Sequence, residues 1–273
     1  MKRNVVKRCV SLCMVMMVVF SMLAVAPSEV DAAAKYQLPS SISHYYNDAE
    51  NGQAPVWKHD TTEKIRYNKK GDVIQFRNVK TKWTYKKGKA TKSKTGSKKV
   101  GFIANSKYKK GKIKSTTVKH YSKKGKVLAT ASAKYKYKKG WIKKISGKAG
   151  GSSYSETYSW SLYGNGMPKS LTLTTKVGKT KYKNRLYFNQ YGLITTIKEE
   201  VADMRMEYKK DASGRVVEKI TYWGSDPLYR TVYSYSGAST SNKKTYIGIV
   251  NNDATVSNWV RDAIPHEYGI IAK

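Results

Sequence analysis

Beyond its N-terminal run, this sequence lacks cysteine, and a long central stretch lacks any acidic residue. Both cysteines, Cys9 and Cys13, lie within that apolar run. A mature chain that begins after it has no thiol for a disulfide, a metal site or a nucleophile. Stability must therefore come from strand pairing and burial, for which about 240 residues provide enough core.

The N-terminal run is predicted to be a secretory signal peptide. Residues 2–8 carry four basic residues, an apolar stretch follows, and small residues come after it. This order predicts a leader at residues 1–34, cleavage between residues 26 and 34, and a protein that is secreted or held at the cell surface. An uncleaved membrane anchor is the alternative, because the run approaches the length that spans a bilayer.

The acid-free stretch makes the charge of the chain both large and uneven. Residues 73–155 hold 26 lysine and arginine residues and no aspartate or glutamate, in a chain of formal net charge +35. Outside a cell such a field attracts polyanions, so the expected partner is an anionic polymer: teichoic acid, an acidic polysaccharide or extracellular DNA. The alternative explanation of this charge is a general role in solubility, or adaptation to acidic or salty surroundings.

The sequence also lacks the motifs of common enzymes and metal sites. Its four histidines form no metal-binding spacing, and neither Gly-x-Ser-x-Gly nor a phosphate-binding loop occurs. We therefore expect no catalytic residue, no bound metal and no cofactor. A secreted hydrolase that uses two carboxyl groups is the enzymatic alternative, with Glu156, Glu199 and Glu200 as its candidates.

What the sequence does contain is a phrase repeated eight times: an aromatic residue, a polar turn that is usually lysine-rich, a glycine and a short apolar run. The copies begin at Tyr67, Tyr85, Tyr108, Tyr121, Tyr137, Tyr163, Phe188 and Tyr208. Their mean step of about twenty residues suits two short strands with their turns. Apolar residues between the turns alternate with polar ones. The pattern predicts an all-β fold, an antiparallel meander of repeated β-hairpins whose sheet is curved or closed.

The repeats divide the chain into zones. Residues 35–56 are predicted to be irregular, because Pro39, Gly52 and Pro55 interrupt them. Residues 57–235 form the predicted β-hairpin repeat domain, and residues 236–273 a distinct C-terminal segment. In that segment we predict a strand at residues 246–250 and a short helix at residues 254–263.

Several of these phrases resemble the YD (Rhs-type) repeat, in which a Tyr-Asp pair precedes a glycine turn and an apolar strand. The resemblance is carried by the copies at Tyr121, Phe188 and Tyr208 and extends over residues 65–235. It implies antiparallel hairpins and an extracellular setting, as in short YD-like secreted proteins of Gram-positive bacteria, and no catalytic residue. The pair Gly140-Trp141 is similar to choline-binding-type cell-wall repeats, which implies aromatic ligand contacts.

Lysine pairs in the turns provide the candidate binding site. If the hairpins stack in register, these turns should line one rim, where lysines beside aromatic rings suit a repeating polyanion. The predicted site comprises Lys109, Lys110, Lys123, Lys124, Lys138 and Lys139 with Tyr108, Tyr121, Tyr137 and Trp141. The alternative assigns the tyrosines to the packed face and the lysines to solvated turns. A glycan-binding adhesin that relies on Tyr137 and Trp141 is the second functional hypothesis.

Overall fold

Sixteen antiparallel strands and one short helix make up the described part of the chain. The computed structural model describes residues 36–49, 53–110, 112–138, 140–198, 203–240 and 243–251. The elements are β1 (Tyr36–Asn47), β2 (Trp57–Tyr67), β3 (Val73–Phe76), β4 (Val79–Lys86), β5 (Lys89–Ser97), β6 (Phe102–Lys109), β7 (Lys112–Tyr121), β8 (Val127–Lys138), β9 (Trp141–Ala149), β10 (Ser152–Leu162), β11 (Pro168–Val177), β12 (Thr180–Phe188), β13 (Ile194–Lys198), β14 (Met204–Lys210), β15 (Val216–Trp223), β16 (Asp226–Thr240) and α1 (Lys243–Asn251).

The strands form a closed barrel in simple up-and-down order. Each strand pairs with its neighbours in sequence, and β1 pairs antiparallel with β16 to close the sheet. Closure leaves no unpaired sheet edge, which removes the main route by which β-proteins associate. The predicted all-β antiparallel meander is thereby confirmed, and the sheet is closed.

Five of the turns share one geometry, and it explains the glycine in the repeated phrase. These five-residue loops are 68–72, 122–126, 163–167, 189–193 and 211–215. In each loop the first N–H donates to the fifth carbonyl, and the glycine at the fourth position donates to the first carbonyl. That glycine has a positive φ, for example 85° at Gly192, as a bulged hairpin turn requires.

The first side chain of these loops caps the turn. Asn189 Oδ1 accepts hydrogen bonds from the backbone N–H of Tyr191 and Leu193, at 3.0 and 3.1 Å. Asp211 accepts in the same way from Ser213 and Arg215. A short polar side chain therefore fixes the turn locally, and asparagine, aspartate or serine begins four of the five loops. In the loop that begins with Tyr163, Asn165 Oδ1 accepts from the N–H of Met167 instead.

Several aromatic residues in and next to the repeated phrase serve a structural role. Tyr67, Tyr163 and Tyr208 donate their hydroxyl hydrogen bonds to backbone carbonyls of other strands or strand ends, at 2.7 to 2.8 Å. Trp83 and Trp160 donate their indole N–H groups to carbonyls on β3 and β9. Each ring thus lies on the inner side of the sheet, while its polar atom is satisfied by backbone.

Antiparallel order decides where the repeats lie. Turns that follow even-numbered strands lie at one end of the barrel, the first rim, and turns that follow odd-numbered strands lie at the opposite end, the second rim. Seven of the eight phrases follow even-numbered strands and share the first rim. The phrase at Tyr121 follows β7 and lies at the second rim.

Two groups of buried side chains fill the inner side. The larger cluster runs from β6 to β14 and includes Ile113, Ile145 and Ile197, each fully buried. The smaller cluster joins β1, β2, β15 and β16 to α1 and includes Leu38 and Val250. Burial of such apolar area, at about 25 cal/mol per Å², is the main stabilising contribution to the fold.

The C-terminal segment differs from its prediction. Residues 246–250 belong to the helix α1, so the predicted strand is wrong. Ile249, Val250 and Asn251 are buried in succession, and Asn251 hydrogen-bonds the backbone of Gly192 and Ile194. Burial from several sides at the first rim outweighs the strand preference of these β-branched residues. The predicted helix at residues 254–263 and the leader at residues 1–34 lie outside the described residues.

The N-terminal segment also differs. Residues 36–47 were expected to be irregular, and they form β1, the strand that closes the barrel. Pro39 lies between two register shifts of the β1–β16 pairing, where its missing N–H disturbs the hydrogen-bond ladder least. A proline at a bulge is therefore compatible with a strand that the sequence pattern would exclude.

One glycine is required by close strand packing, and its replacement is the first prediction. A Cβ at Gly147 would lie 1.7 Å from the carbonyl oxygen of Ser132 on the neighbouring strand. We expect Gly147→Ala to lower the free energy of unfolding by more than about 3 kcal/mol, because backbone would have to move. Urea unfolding followed by circular dichroism measures the change. Gly164→Ala is the control, since its Cβ would meet no atom within 4 Å; equal stability of the two variants would contradict the packing described.

Candidate functional site

The outer faces of β4 to β9 form a continuous surface of lysines. Along each strand, exposed lysines alternate with inward side chains, because successive residues of a strand point to opposite faces. We call this surface the lysine wall. Its exposed strand lysines are Lys80, Lys82, Lys86, Lys89, Lys92, Lys94, Lys107, Lys109, Lys114, Lys119, Lys134, Lys136, Lys138, Lys143, Lys144 and Lys148.

Strand register places many of these lysines directly opposite one another. Four facing pairs occur within the wall: Lys82 with Lys94, Lys86 with Lys89, Lys92 with Lys107, and Lys136 with Lys144. A fifth pair joins Lys109 of the wall to the half-buried Lys112. Facing side chains have Cβ atoms about 5 Å apart, and like charges at that distance destabilise a sheet. The wall therefore costs stability when no counter-charge is bound.

Acidic partners lie on the other side of the barrel. Within the described residues, ion pairs join β1, β2, β13 to β16 and their turns, and no acid lies on β4 to β9. Examples are Arg230 with Glu218 and Arg215 with Asp211, at 2.5 and 2.6 Å. Charge is thus paired on one half of the outer surface and unpaired on the other.

The predicted turn lysines do not meet at one rim. Lys109 and Lys138 are the last residues of β6 and β8, and Lys110 follows β6, so these lie at the first rim. Lys123 and Lys124 follow β7 and lie at the second rim, so the expectation of a single basic rim is wrong. Lys139 lies outside the described residues. The turns extend the lysine wall at both of its ends.

The predicted aromatic residues belong to the packed face. Tyr137 donates its hydroxyl to the carbonyl of Ile113 at 2.9 Å, and burial raises its pKa. Trp141 is 8 % exposed and its ring lies 5.0 Å from that of Trp160. Tyr108 lies against Trp83, with a raised pKa that also reflects burial. These rings pack on the inner side of the strands that carry the lysine wall, and they do not form an exposed aromatic surface.

Tyr121 is the exception among the predicted aromatics. It is half-buried at the second rim, and Lys98 Nζ lies 5.6 Å from its ring centroid. A cation near a ring face at this distance gains a modest attraction, which holds the lysine near the surface of the sheet. The same arrangement recurs at the first rim, where Lys70 Nζ lies 4.1 Å from the ring centroid of Tyr85.

Of the three carboxyl groups considered for hydrolysis, the one that the structure describes, Glu156, is enclosed in the packed interior. Glu156 is 3 % exposed, and Tyr158 donates a 2.6 Å hydrogen bond to its Oε2. Burial raises the pKa of Glu156 to about 7. Glu199 and Glu200 lie outside the described residues. In the described part of the chain, no group of three or more His, Cys, Asp or Glu residues could hold a metal ion.

A second buried polar group was not expected from the sequence. Glu63 is 1 % exposed, contacts Arg77 through Oε1, and lies 3.4 Å from His44 Nε2 through Oε2. The signal for it was faint, because the two acids of β2, Asp60 and Glu63, form no recognisable motif. For the lysines, by contrast, the sequence shows the alternation along a strand, as at Lys134, Lys136 and Lys138. Which lysines face one another could be seen only from the strand register.

Within the described residues, no helix is both long and apolar enough to cross a membrane.

Comparison with known proteins identifies the architecture alone. No protein-family model matches this sequence, and a search of curated proteins gives no significant match. The barrel is similar to a porin-like protein from Bacteroides vulgatus ATCC 8482, with a TM-score of 0.50 and 11 % sequence identity over 74 % of this chain and 100 % of that one. A porin-like protein from Bacteroides uniformis ATCC 8492 gives a TM-score of 0.49 and 14 % identity over 72 % and 96 % of the two chains. The first of these likenesses shows a shared β-barrel fold at an identity too low to show more.

Proposed function

We propose that this protein is a secreted or surface-retained, non-enzymatic barrel that binds a repeating anionic polymer through its lysine wall. The observation that supports the proposal is the set of facing lysine pairs on β4 to β9, without acids between them. A bound polyanion would replace repulsion between neighbours by attraction to a common partner. Binding and relief of repulsion would then have the same physical origin.

The chemistry of the wall favours charge over sequence or shape. Lysine ammonium groups are flexible point charges, whereas bidentate recognition of a carboxylate or phosphate favours arginine. A broad wall also suits a long polymer better than a small anion. We therefore infer a partner defined by its charge density: teichoic acid, an acidic polysaccharide or extracellular DNA.

A lipid-facing role for this half of the barrel is disfavoured by the same lysines. Membrane barrels carry an apolar band on their outer surface, and a lysine at the bilayer midplane costs about 2 to 4 kcal/mol. Lys94, Lys107 and Lys134 lie within their strands rather than at the ends. We infer that the wall faces an aqueous space containing the polymer, outside the cell, as the N-terminal leader predicts.

The test is salt-dependent binding to two linear polymers, polyphosphate and polygalacturonate. We expect the affinity for both to fall steeply with salt, with a log–log slope that reports the number of lysines engaged. Replacing Lys82, Lys92 and Lys136 by glutamine should lower the affinity about tenfold at 0.1 M salt and make the slope shallower by about 2. Isothermal titration calorimetry at several salt concentrations measures both quantities.

The control is a triple variant that removes three positive charges outside the lysine wall. Lys64, Lys169 and Lys209 are exposed and lie outside β4 to β9, so their replacement by glutamine should change binding much less. Equal loss in the two triple variants would mean that only net charge matters, and the wall would have no special role. Binding that is insensitive to salt would also contradict the proposal.

A further inference from the structure

A groove at the first rim combines features that the lysine wall lacks. It has a volume of about 460 Å³, within the range of small-molecule sites. It lies between the start of β1, the loop after β12, the loop after β14 and α1. These elements are distant in strand order from β4 to β9, so the groove is separate from the wall.

Aromatic rings form the sides of this groove. Tyr36 and Tyr246 are stacked with ring centroids 5.8 Å apart, and the hydroxyl of Tyr246 accepts the backbone N–H of Val216 at 3.0 Å. That hydrogen bond fixes the position of the Tyr246 ring. Tyr191, which also lines the groove, is 49 % exposed, so its ring is accessible to a ligand. Apolar floor residues are Leu193, Val216 and Ile247.

Two cationic side chains, Arg215 and Lys210, border the groove, and they differ in whether an acidic partner already compensates their charge. Arg215 is held by Asp211 at 2.6 Å and by Gln37, so its charge is compensated. Lys210 Nζ lies 3.9 Å from the ring centroid of Tyr191. Among the described residues, those that line the groove include no aspartate or glutamate. A ligand that enters therefore meets the exposed part of the Tyr191 ring and one cation, Lys210, which covers part of that ring.

We propose that this groove binds a pyranose ring that carries one negatively charged group, as an acidic monosaccharide does. The apolar face of a sugar ring packs against the exposed part of the Tyr191 ring that Lys210 does not cover, and the charged group is placed beside Lys210. Arg215, which is held in place by Asp211 and Gln37, contributes hydrogen-bond donors and one fixed side of the groove. A single sugar unit of this kind is expected to bind with a Kd in the millimolar range.

The experiment uses three sugars that differ only at carbon 6: glucose, glucuronate and glucose 6-phosphate. Saturation-transfer NMR and titration of the full chain at about 0.3 M salt, where long-range attraction to the wall is screened, measure binding. We expect both anionic sugars to bind about tenfold more tightly than glucose. Preference for glucuronate identifies a uronic acid as the source of the charge, and preference for glucose 6-phosphate identifies a sugar phosphate.

Variants connect the binding to the groove. Lys210→Gln should remove the preference for the anionic sugars and leave glucose unchanged, and Tyr191→Ala should weaken all three sugars several-fold. Lys209→Gln is the matched control, because Lys209 makes the same charge change on the adjacent residue, which faces Glu218. Both Tyr191 and Lys210 are exposed, so the variants should keep their fold, which circular dichroism verifies.

The outcomes separate the groove from the wall. Loss of the anionic preference in Lys210→Gln but not in Lys209→Gln supports the groove. No binding at roughly ten times the expected millimolar Kd, or binding that Lys210→Gln and Tyr191→Ala leave unchanged, would overturn it. Either result would leave polymer binding by the wall unaffected, since the probe is a monosaccharide.

Discussion

Adding salt or a polyanion should raise the unfolding temperature of this protein by several degrees. Each facing lysine pair costs about 0.5 kcal/mol when unscreened, so the pairs at Lys82, Lys92 and Lys136 together cost roughly 1.5 kcal/mol. For a domain of this size that corresponds to about 3 to 6 °C. Salt screens the repulsion, and polyphosphate that binds the native state adds stabilisation by mass action.

Glutamine at Lys82, Lys92 and Lys136 should reproduce this effect without salt. The triple variant is expected to be more stable than the wild type in a low-salt buffer and to respond less to added salt or polyphosphate. Replacing Lys64, Lys169 and Lys209 changes net charge equally but removes no facing lysine pair in the wall. Differential scanning calorimetry at about 10 mM and 300 mM salt gives the comparison; a wild type that salt destabilises would contradict the role assigned to the pairs.

Replacing Glu156 by glutamine should stabilise the protein at neutral and alkaline pH. Burial raises the pKa of this carboxyl from 4.5 to about 7, and the hydrogen bond from the Tyr158 hydroxyl partly opposes the rise. The folded protein therefore keeps a proton that the unfolded chain has released. Its contribution to stability is fully present below pH 4.5 and is lost as the pH rises to about 7.

The size of the effect follows from the shift in pKa. A rise in the pKa of Glu156 from 4.5 to about 7 corresponds to a loss of roughly 3 kcal/mol in the free energy of unfolding between acidic and neutral pH. Glu156→Gln should match the wild type near pH 4 and exceed it by about 3 kcal/mol above pH 7, in urea unfolding at each pH. Equal stability of the two proteins at pH 8 would show that the carboxyl is not held in an apolar environment.

Replacing the second buried carboxylate, that of Glu63, by glutamine should lower stability, whereas the same replacement at Glu156 should raise it. Glu63 is paired with the half-exposed Arg77 and lies 3.4 Å from the buried His44, so Glu63→Gln removes the charge that pairs with Arg77 and changes the contact with His44. We expect this change to destabilise the protein by about 1 to 3 kcal/mol at neutral pH. Two deeply buried carboxyls thus differ in the sign of the same substitution, because only Glu63 has an arginine partner.

Strands and turns were predictable because their causes are local. Alternation of side chains, as at Tyr158 and Trp160, depends only on the two-residue period of a strand. The turn at Asn189 depends on one capping side chain and one glycine, Gly192, both within the loop. The helix α1 was missed, since its formation depends on burial beside Leu193 and Tyr233, which are remote in sequence.

Polyanion binding by the predicted lysines stays a prediction, but their expected placement at one rim was wrong. Lysines were expected in the turns, and most of those exposed lie instead along the strands, opposite one another. Lys109 and Lys123 were assigned to one rim, although consecutive turns of a meander lie at opposite ends. Tyr137 and Trp141 were candidates for ligand contact, but only the fold could decide which side of the sheet they occupy.

By itself the sequence determined an all-β chain of hairpins with an acid-free basic half, because strand period, turn chemistry and charge are properties of neighbouring residues. Tertiary structure alone decided that β1 meets β16, that Lys92 faces Lys107, and that Glu156 is enclosed. These contacts join residues far apart in the chain or depend on register, and register is set by packing of the whole sheet.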